Sequence, residues 1–498
     1  MSNRIVRLLS AAAVASLLAS APVAADKVDG HPRVKQALKL VEIWLDAQRD
    51  YEQIPGLSIA IVHDQDVVWK SAFGFADVEK KTPARTDTLY SICSISKLFT
   101  SIAVMQQRDA GKLRLDDPVA KHLPWFTLKR TDPDAPEITI EGLLTHSAGL
   151  PREAAAPYWT GPSFTFPERE EVIEKLKAQE TYFAASSHFQ YSNLGLTLAG
   201  EVAAAAAGQP YAEYVRTRVL DPIGLKDTTP EMPKSDRLAT AYSAIQRDGR
   251  RTVVTPFTAR GIVPAAGYAS SVEDLAKFAA WQFRVLDRKA GTEVLSTNTL
   301  REMQRVHWMD PDFGTSWGLG FQVNRDKEKT WVGHGGSCPG FRADLLMHTP
   351  EKVALIVMAN GQGIDTRRFA ARTYDIVGAA IKTAAKAEAS KLDSAKTDAA
   401  PDKPGTQIPD ASLERYTGTY ATGFAGEVAF VPWEDGLASI GLPSLDPMAA
   451  LTKWKKAGEH TFQRIRKDET LAEKLTFEVE GGRAVRIRWH ENDYKRVK

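Results

Sequence analysis

Ser94 and Lys97 stand three residues apart, Tyr191 and Asn193 two apart, and His334 opens the run His334-Gly335-Gly336-Ser337. These are the only S-x-x-K, Y-x-N and H-x-G patterns in the chain. On a helix, the first spacing puts Lys97 about one turn beyond Ser94 on the same side. A serine hydroxyl is a weak nucleophile until a base takes its proton. A partly desolvated lysine can be that base, because burial disfavours its charged form. Beside such a pair a phenol like Tyr191 can relay the proton to a leaving group, and an amide like Asn193 can hold a substrate amide. Each residue also has a plainer reading: a helix cap, a solvated lysine, a core aromatic, a turn. Ile92, Cys93 and Ile95 around the serine argue for burial, and buried lysines are rarely structural.

Ile95, Leu98, Ile102 and Met105 recur at helical spacing, and Gly111 is placed to end that helix. Ser94 then falls at a helix N-terminus, where the backbone favours negative charge. Residues 57–62 and 67–75 read as paired strands, 353–358 as a buried strand, and 168–178 and 270–285 as helices. Strands at both ends with helices between predict an α+β fold whose terminal strands share one sheet. Gly333, Gly335 and Gly336 strip a strand of side chains, which is tolerated where a ligand or another backbone comes close.

Residues 1–25 carry Arg4 and Arg7 before an apolar run, then Val23-Ala24-Ala25, and read as a secretory signal peptide. Its removal would take two Arg and no acid, lowering the formal charge from +2 to 0 and arguing against nucleic acid as partner. No later stretch is apolar for long enough to span a membrane. The 498 residues exceed the ~250–300 at which one core stops growing, so at least two domains are expected. Residues 26–382 form the catalytic candidate. Residues 383–411, rich in Ala, Lys, Asp, Thr and Pro, read as a linker, although 379–394 could extend a surface helix. Residues 412–498 alternate apolar and polar positions, with a hairpin about Gly481-Gly482, and predict a small antiparallel β domain. No G-x-S-x-G, no H-E-x-x-H and no metal-spaced cluster is present, so no metal and no cofactor are implied.

The ordered motifs, with Gly56-Leu57-Ser58-Ile59-Ala60, Leu143-Leu144-Thr145-His146-Ser147-Ala148-Gly149-Leu150-Pro151 and Pro264-Ala265-Ala266-Gly267-Tyr268-Ala269-Ser270, resemble the serine β-lactamase and penicillin-binding protein superfamily over about residues 32–382. The nearest branch holds class C β-lactamases, DD-peptidases, D-aminopeptidases and family VIII esterases. The resemblance implies an α+β, β-lactamase/DD-peptidase-like domain, with Ser94 as acylated nucleophile, Lys97 as its activator and Tyr191 as proton shuttle. It implies substrate binding by Asn193, His334, Gly335, Gly336 and Ser337, and an oxyanion hole from the backbone N–H groups of Ser94 and Ser337. His146 lies in a segment usually regarded as structural and is left out of the expected site.

His334 stands where β-lactamases usually carry lysine. Histidine is mostly neutral above a pKa of about 6.5, so carboxylate recognition should be weaker. Hence an exported esterase or a peptidase of D-amino-acid compounds is expected ahead of a β-lactamase. A non-catalytic binder of peptidoglycan fragments or a partner remains the alternative. Cys93 and Cys338 match positions bridged in some carbapenem-hydrolysing class A enzymes, implying a disulfide in an exported, periplasmic or secreted chain. The expected partner is a small ester, amide or D-amino-acid peptide.

Overall fold

The computed structural model describes residues 28–154, 156–287, 293–326, 328–397, 410–423 and 426–498. The proposed signal peptide and residues 398–409 of the expected linker therefore lie outside the described residues. The elements that matter for the site are α1 (Pro32–Tyr51), β1 (Gly56–His63), β2 (Asp66–Asp77), α2 (Ser96–Asp109), α3 (Asn193–Ala207), α4 (Val272–Leu286), β3 (Gln322–Asp326), β4 (Lys329–Cys338), β5 (Phe341–His348), β6 (Val353–Ala359) and α5 (Thr366–Thr397).

β1 and β6 are nearly continuous runs of Val, Ile, Leu and Ala because both faces of the sheet are covered. They pair antiparallel, Ile59 opposite Val357, so the two ends of the catalytic domain meet in the middle of one sheet. The strand order β2-β1-β6-β5-β4-β3 is completed by two-residue strands at the edges, giving nine in all. Side chains alternate between two cores. Ala60, Val62, Ile356 and Met358 face the helical region built on α2, α3 and α4, whereas Leu57, Ile59, Leu355 and Val357 face α1 and α5.

The C-terminal strands, from Gly418–Ala421 to Asn492–Arg496, close into an eight-stranded antiparallel barrel. Closure leaves no unpaired edge. Its interior holds Tyr420, Phe430, Trp454, Phe462 and Phe477. Its outer face presents Ala429, Val431, Ala438 and Ile440, which join the core under α1 and α5. Trp44 of α1 is fully buried there and donates its indole N–H to Ser444 O at 2.8 Å. The barrel is thus docked on the side of the sheet away from Ser94. α5 continues to Thr397, along the 379–394 stretch that could extend a surface helix and three residues past it, into the segment read as linker.

Candidate active site

The segment Cys93–Ile95 is a single 3-10 turn leading into α2, and it carries Ser94 at the helix entrance. Cys93 has φ of 49°, a left-handed conformation that costs a non-glycine residue of order 1 kcal/mol or more. Neighbouring contacts over-determine it. Ser96 Oγ donates to Cys93 O and accepts from Tyr268 N at 3.1 Å, and Cys93 is bonded to Cys338 with Cα atoms 5.7 Å apart. The bridge joins the nucleophile turn to the end of β4. A Cβ on Gly336 would come within 2.2 Å of Ile92 O, so only glycine lets β4 lie this close to the turn.

Lys97 is fully buried on α2. Its Nζ lies 2.8 Å from Ala265 O, 2.8 Å from Asn193 Oδ1 and 3.1 Å from Ser94 Oγ. The carbonyl and the amide oxygen can only accept. In the neutral amine those two contacts consume both N–H groups, leaving the lone pair directed at the serine hydroxyl. Burial pushes the ammonium well below the ordinary lysine range, with Glu153 pulling it back up and Arg152 pushing it further down. Tyr191 responds in the opposite sense. Burial raises its phenol pKa, and Ser94 pulls it part of the way back. Of the two groups near the serine, Lys97 is therefore the one able to act as a base, and Tyr191 is a neutral phenol that can pass a proton on.

Asn193 begins α3 behind an N-cap in which Ser192 Oγ accepts from Gly195 N at 2.8 Å. Both ends of its amide are engaged, Oδ1 by Lys97 and Nδ2 by Glu153 Oε1 at 2.8 Å. It is bonded to the lysine, a contact that the expected grip on substrate did not include.

His334 projects from β4 and is buried, its Nδ1 donating to Gly335 O at 2.6 Å. Nδ1 therefore bears the hydrogen, and burial lowers the ring pKa to about 3, with Lys97 adding to the fall. The ring is uncharged over the whole physiological range. Ser337 follows on the same strand, its Oγ accepting from Gln362 Nε2 at 3.2 Å. Gly335 faces the other way, where Asp344 packs behind the strand.

Four participants escaped the sequence reading. His146, set aside as structural, stacks on Tyr191 at 4.3 Å and packs edge-on to Trp317 at 4.9 Å. It sits in the quoted 143–151 segment, so that apolar surrounding was the signal available. Arg152 lies over the Tyr191 ring, 4.9 Å from its centroid, and Glu153 beside it holds Asn193. A charged pair directly after Leu150-Pro151 was the only hint in the sequence. Trp317, 5.5 Å from His334, offered none.

The family model described as Beta-lactamase matches residues 42–380. Protein flp of Staphylococcus aureus (strain MW2) is 27% identical over 310 residues, covering 62% of this chain and 60% of that protein. The chain thus spans about three fifths of the length of the curated relatives it matches. The octameric penicillin-binding protein homologue from Pyrococcus abyssi superposes with a TM-score of 0.59 at 22% identity, covering 92% of this chain and 99% of that one. A D-stereospecific amidohydrolase from Streptomyces sp. superposes with a TM-score of 0.56 at 22% identity, covering 67% and 97%. At these identities the superpositions speak for the fold, while the family match extends over most of the chain. The chain belongs to the beta-lactamase family.

Proposed function

We propose that this protein is a serine hydrolase that cleaves an ester or amide through an acyl-Ser94 intermediate. The observation that carries the reading is the amine of Lys97, whose two acceptor partners leave its lone pair facing the Ser94 hydroxyl at 3.1 Å. In the acylation step the Ser94 proton passes to Lys97 Nζ as the Oγ–C bond forms. The N–H groups of Ser94 and Ser337 are the donors for the resulting oxyanion. Tyr191 gives its phenolic proton to the leaving group as that group's bond to the carbonyl carbon breaks and regains one from the Lys97 ammonium, and water then hydrolyses the ester on Ser94 by the reverse route.

Within that class we favour an esterase or a peptidase of D-amino-acid compounds over a β-lactamase. An uncharged His334 supplies no cation for a substrate carboxylate, and one structural neighbour is a D-stereospecific amidohydrolase. The disulfide supports an exported protein, since such bonds persist in oxidising compartments. Among the described residues no helix is long and apolar enough to cross a membrane.

Labelling with a fluorescent fluorophosphonate or penicillin tests the reading. The parent should be labelled on Ser94 and Ser94→Ala should not. Equal labelling of both, or none of the parent, would exclude the acyl-serine mechanism. Comparing turnover of a cephalosporin, a short-chain nitrophenyl ester and a D-amino-acid amide tests the ranking. Rapid cephalosporin turnover alone would reverse it.

A further inference from the structure

Glu153 is a three-quarters buried carboxylate beside the nucleophile that takes no part in the acyl transfer described above. Its side chain is 22% exposed. Oε1 accepts from Asn193 Nδ2 at 2.8 Å and faces Arg152 Nε at 3.2 Å, while Oε2 accepts from the Tyr158 hydroxyl. Tyr158 is itself buried in an aromatic cluster with Trp159 and Phe166, so the loop that presents Glu153 is anchored. A continuous chain of contacts runs from Tyr158 through Glu153, Asn193 and Lys97 to Ser94.

We infer that Glu153 is a positioning residue that fixes which end of the Asn193 amide faces Lys97, and so sets the direction and the basicity of the amine at Ser94. The inference rests on the acyl-serine reading. An asparagine amide presents an acceptor at one end and donors at the other, and packing alone barely distinguishes them. An ionised carboxylate only accepts. Set against Asn193 it takes an Nδ2 hydrogen and forces Oδ1 towards Lys97. Turned the other way, Asn193 would confront the lysine with N–H groups, and the amine would lose one of the two contacts that aim its lone pair.

The carboxylate acts through charge as well. The ionisable groups around the amine are Glu153, Arg152, Tyr191, His146 and His334. Tyr191 is a neutral phenol and both imidazoles are driven towards neutrality by burial, so Glu153 is the one anion in this set. It offsets part of the desolvation of the ammonium that forms when Ser94 gives up its proton, and Arg152 opposes it.

The test compares parent, Glu153→Gln, Glu153→Asp and Arg152→Gln for the pH dependence of kcat/KM on a nitrophenyl ester, with fluorophosphonate labelling and thermal melts of each. The acid limb reports loss of the neutral amine. Glu153 raises the pKa of Lys97, so Glu153→Gln should move that limb to lower pH, and Arg152→Gln should move it to higher pH. At neutral pH Glu153→Gln should lose about tenfold in kcat/KM, less than the roughly 100-fold or more expected of a direct proton-transfer group. Glu153→Asp keeps the charge but shortens the reach to Asn193. Its acid limb should stay near that of the parent while its rate falls.

A merely structural role would lower Tm and leave the pH profile where it was, and that result overturns the inference. So does a Glu153→Gln profile that superposes on the parent's. Should Glu153→Gln fold poorly, Glu153→Asp decides, and parental rates in that variant overturn the inference. Failure of the parent to label on Ser94 removes the acyl-serine reading and the inference with it. A labelled parent with an indifferent Glu153→Gln removes the inference alone.

Discussion

The two covered faces of the central sheet use burial for different ends. On the Ser94 face Lys97, His146, Asn193 and His334 are all buried, each tied by hydrogen bonds or ring contacts. On the opposite face Trp44, Phe369 and the β1 and β6 side chains meet α1, α5 and the barrel in an almost wholly apolar core. Withdrawing a basic group from water costs several kcal/mol unless it is paired or neutralised, whereas each large apolar side chain buried contributes roughly 1.5–3 kcal/mol. Both faces contribute apolar cores, and the near face alone also withdraws a lysine and two histidines from water.

Replacements on the two faces should therefore fail in different ways. Lys97→Met keeps the stem of the side chain and removes the amine. Acylation should fall by roughly 10²–10⁴-fold while Tm holds or rises, read by single-turnover labelling and calorimetry. A lower Tm with labelling retained would erase the contrast. Trp44→Ala should cost about 3–5 kcal/mol in a denaturant titration and leave kcat/KM of the folded fraction unchanged. A loss of turnover there would mean that the barrel face reaches the site.

The disulfide lies on the boundary between these behaviours, because it closes 245 residues of chain and also ties β4 to the nucleophile turn. Removing it with the Cys93→Ala, Cys338→Ala pair should cost about 2–5 kcal/mol and slow acylation together. A stability loss with full activity would show that Gly336 alone keeps the strand in place.

The smallest effect expected comes from Asp344, a buried carboxyl on the far side of β5 that accepts from Thr366 Oγ1 at 2.7 Å. Burial raises its pKa from 3.8 to about 6. A group raised in the folded state contributes its stability at low pH and loses it as pH climbs through the folded value. The parent should thus weaken between about pH 4 and pH 6–7, by at most about 3 kcal/mol from this group. Asp344→Asn should flatten that decline, as followed by Tm against pH.

Much of this arrangement was legible in local pattern. The i, i+3 spacing of Ser94 and Lys97 on a helix with apolar Leu98, Ile102 and Met105 sufficed to bring hydroxyl and amine together. The apolar run of β6 announced a buried strand, and residues 57–62 and 67–75 pair as expected. Gly481 and Gly482, both at positive φ, turn the hairpin their sequence suggested. What stayed hidden depends on long-range placement. His146, Arg152 and Glu153 reach Tyr191 and Asn193 only because the segment after α2 folds back across α3, and no periodicity encodes that path. The extension of α5 to Thr397 follows from Ala, Lys and Glu propensity, which had allowed a helix to 394 within residues also read as a linker. The docking of the barrel rests on small outward residues such as Ala429 and Ala438, too modest to stand out in sequence.

An uncharged His334 has a consequence for how molecules arrive at the cleft. With burial disfavouring the charged forms of Lys97, His146 and His334, and Arg152 paired with Glu153, the groups around Ser94 carry little net charge. Anions and cations are neither drawn in nor repelled at long range, so encounter rates should barely respond to ionic strength. Selection among visitors then falls to shape and fit after arrival.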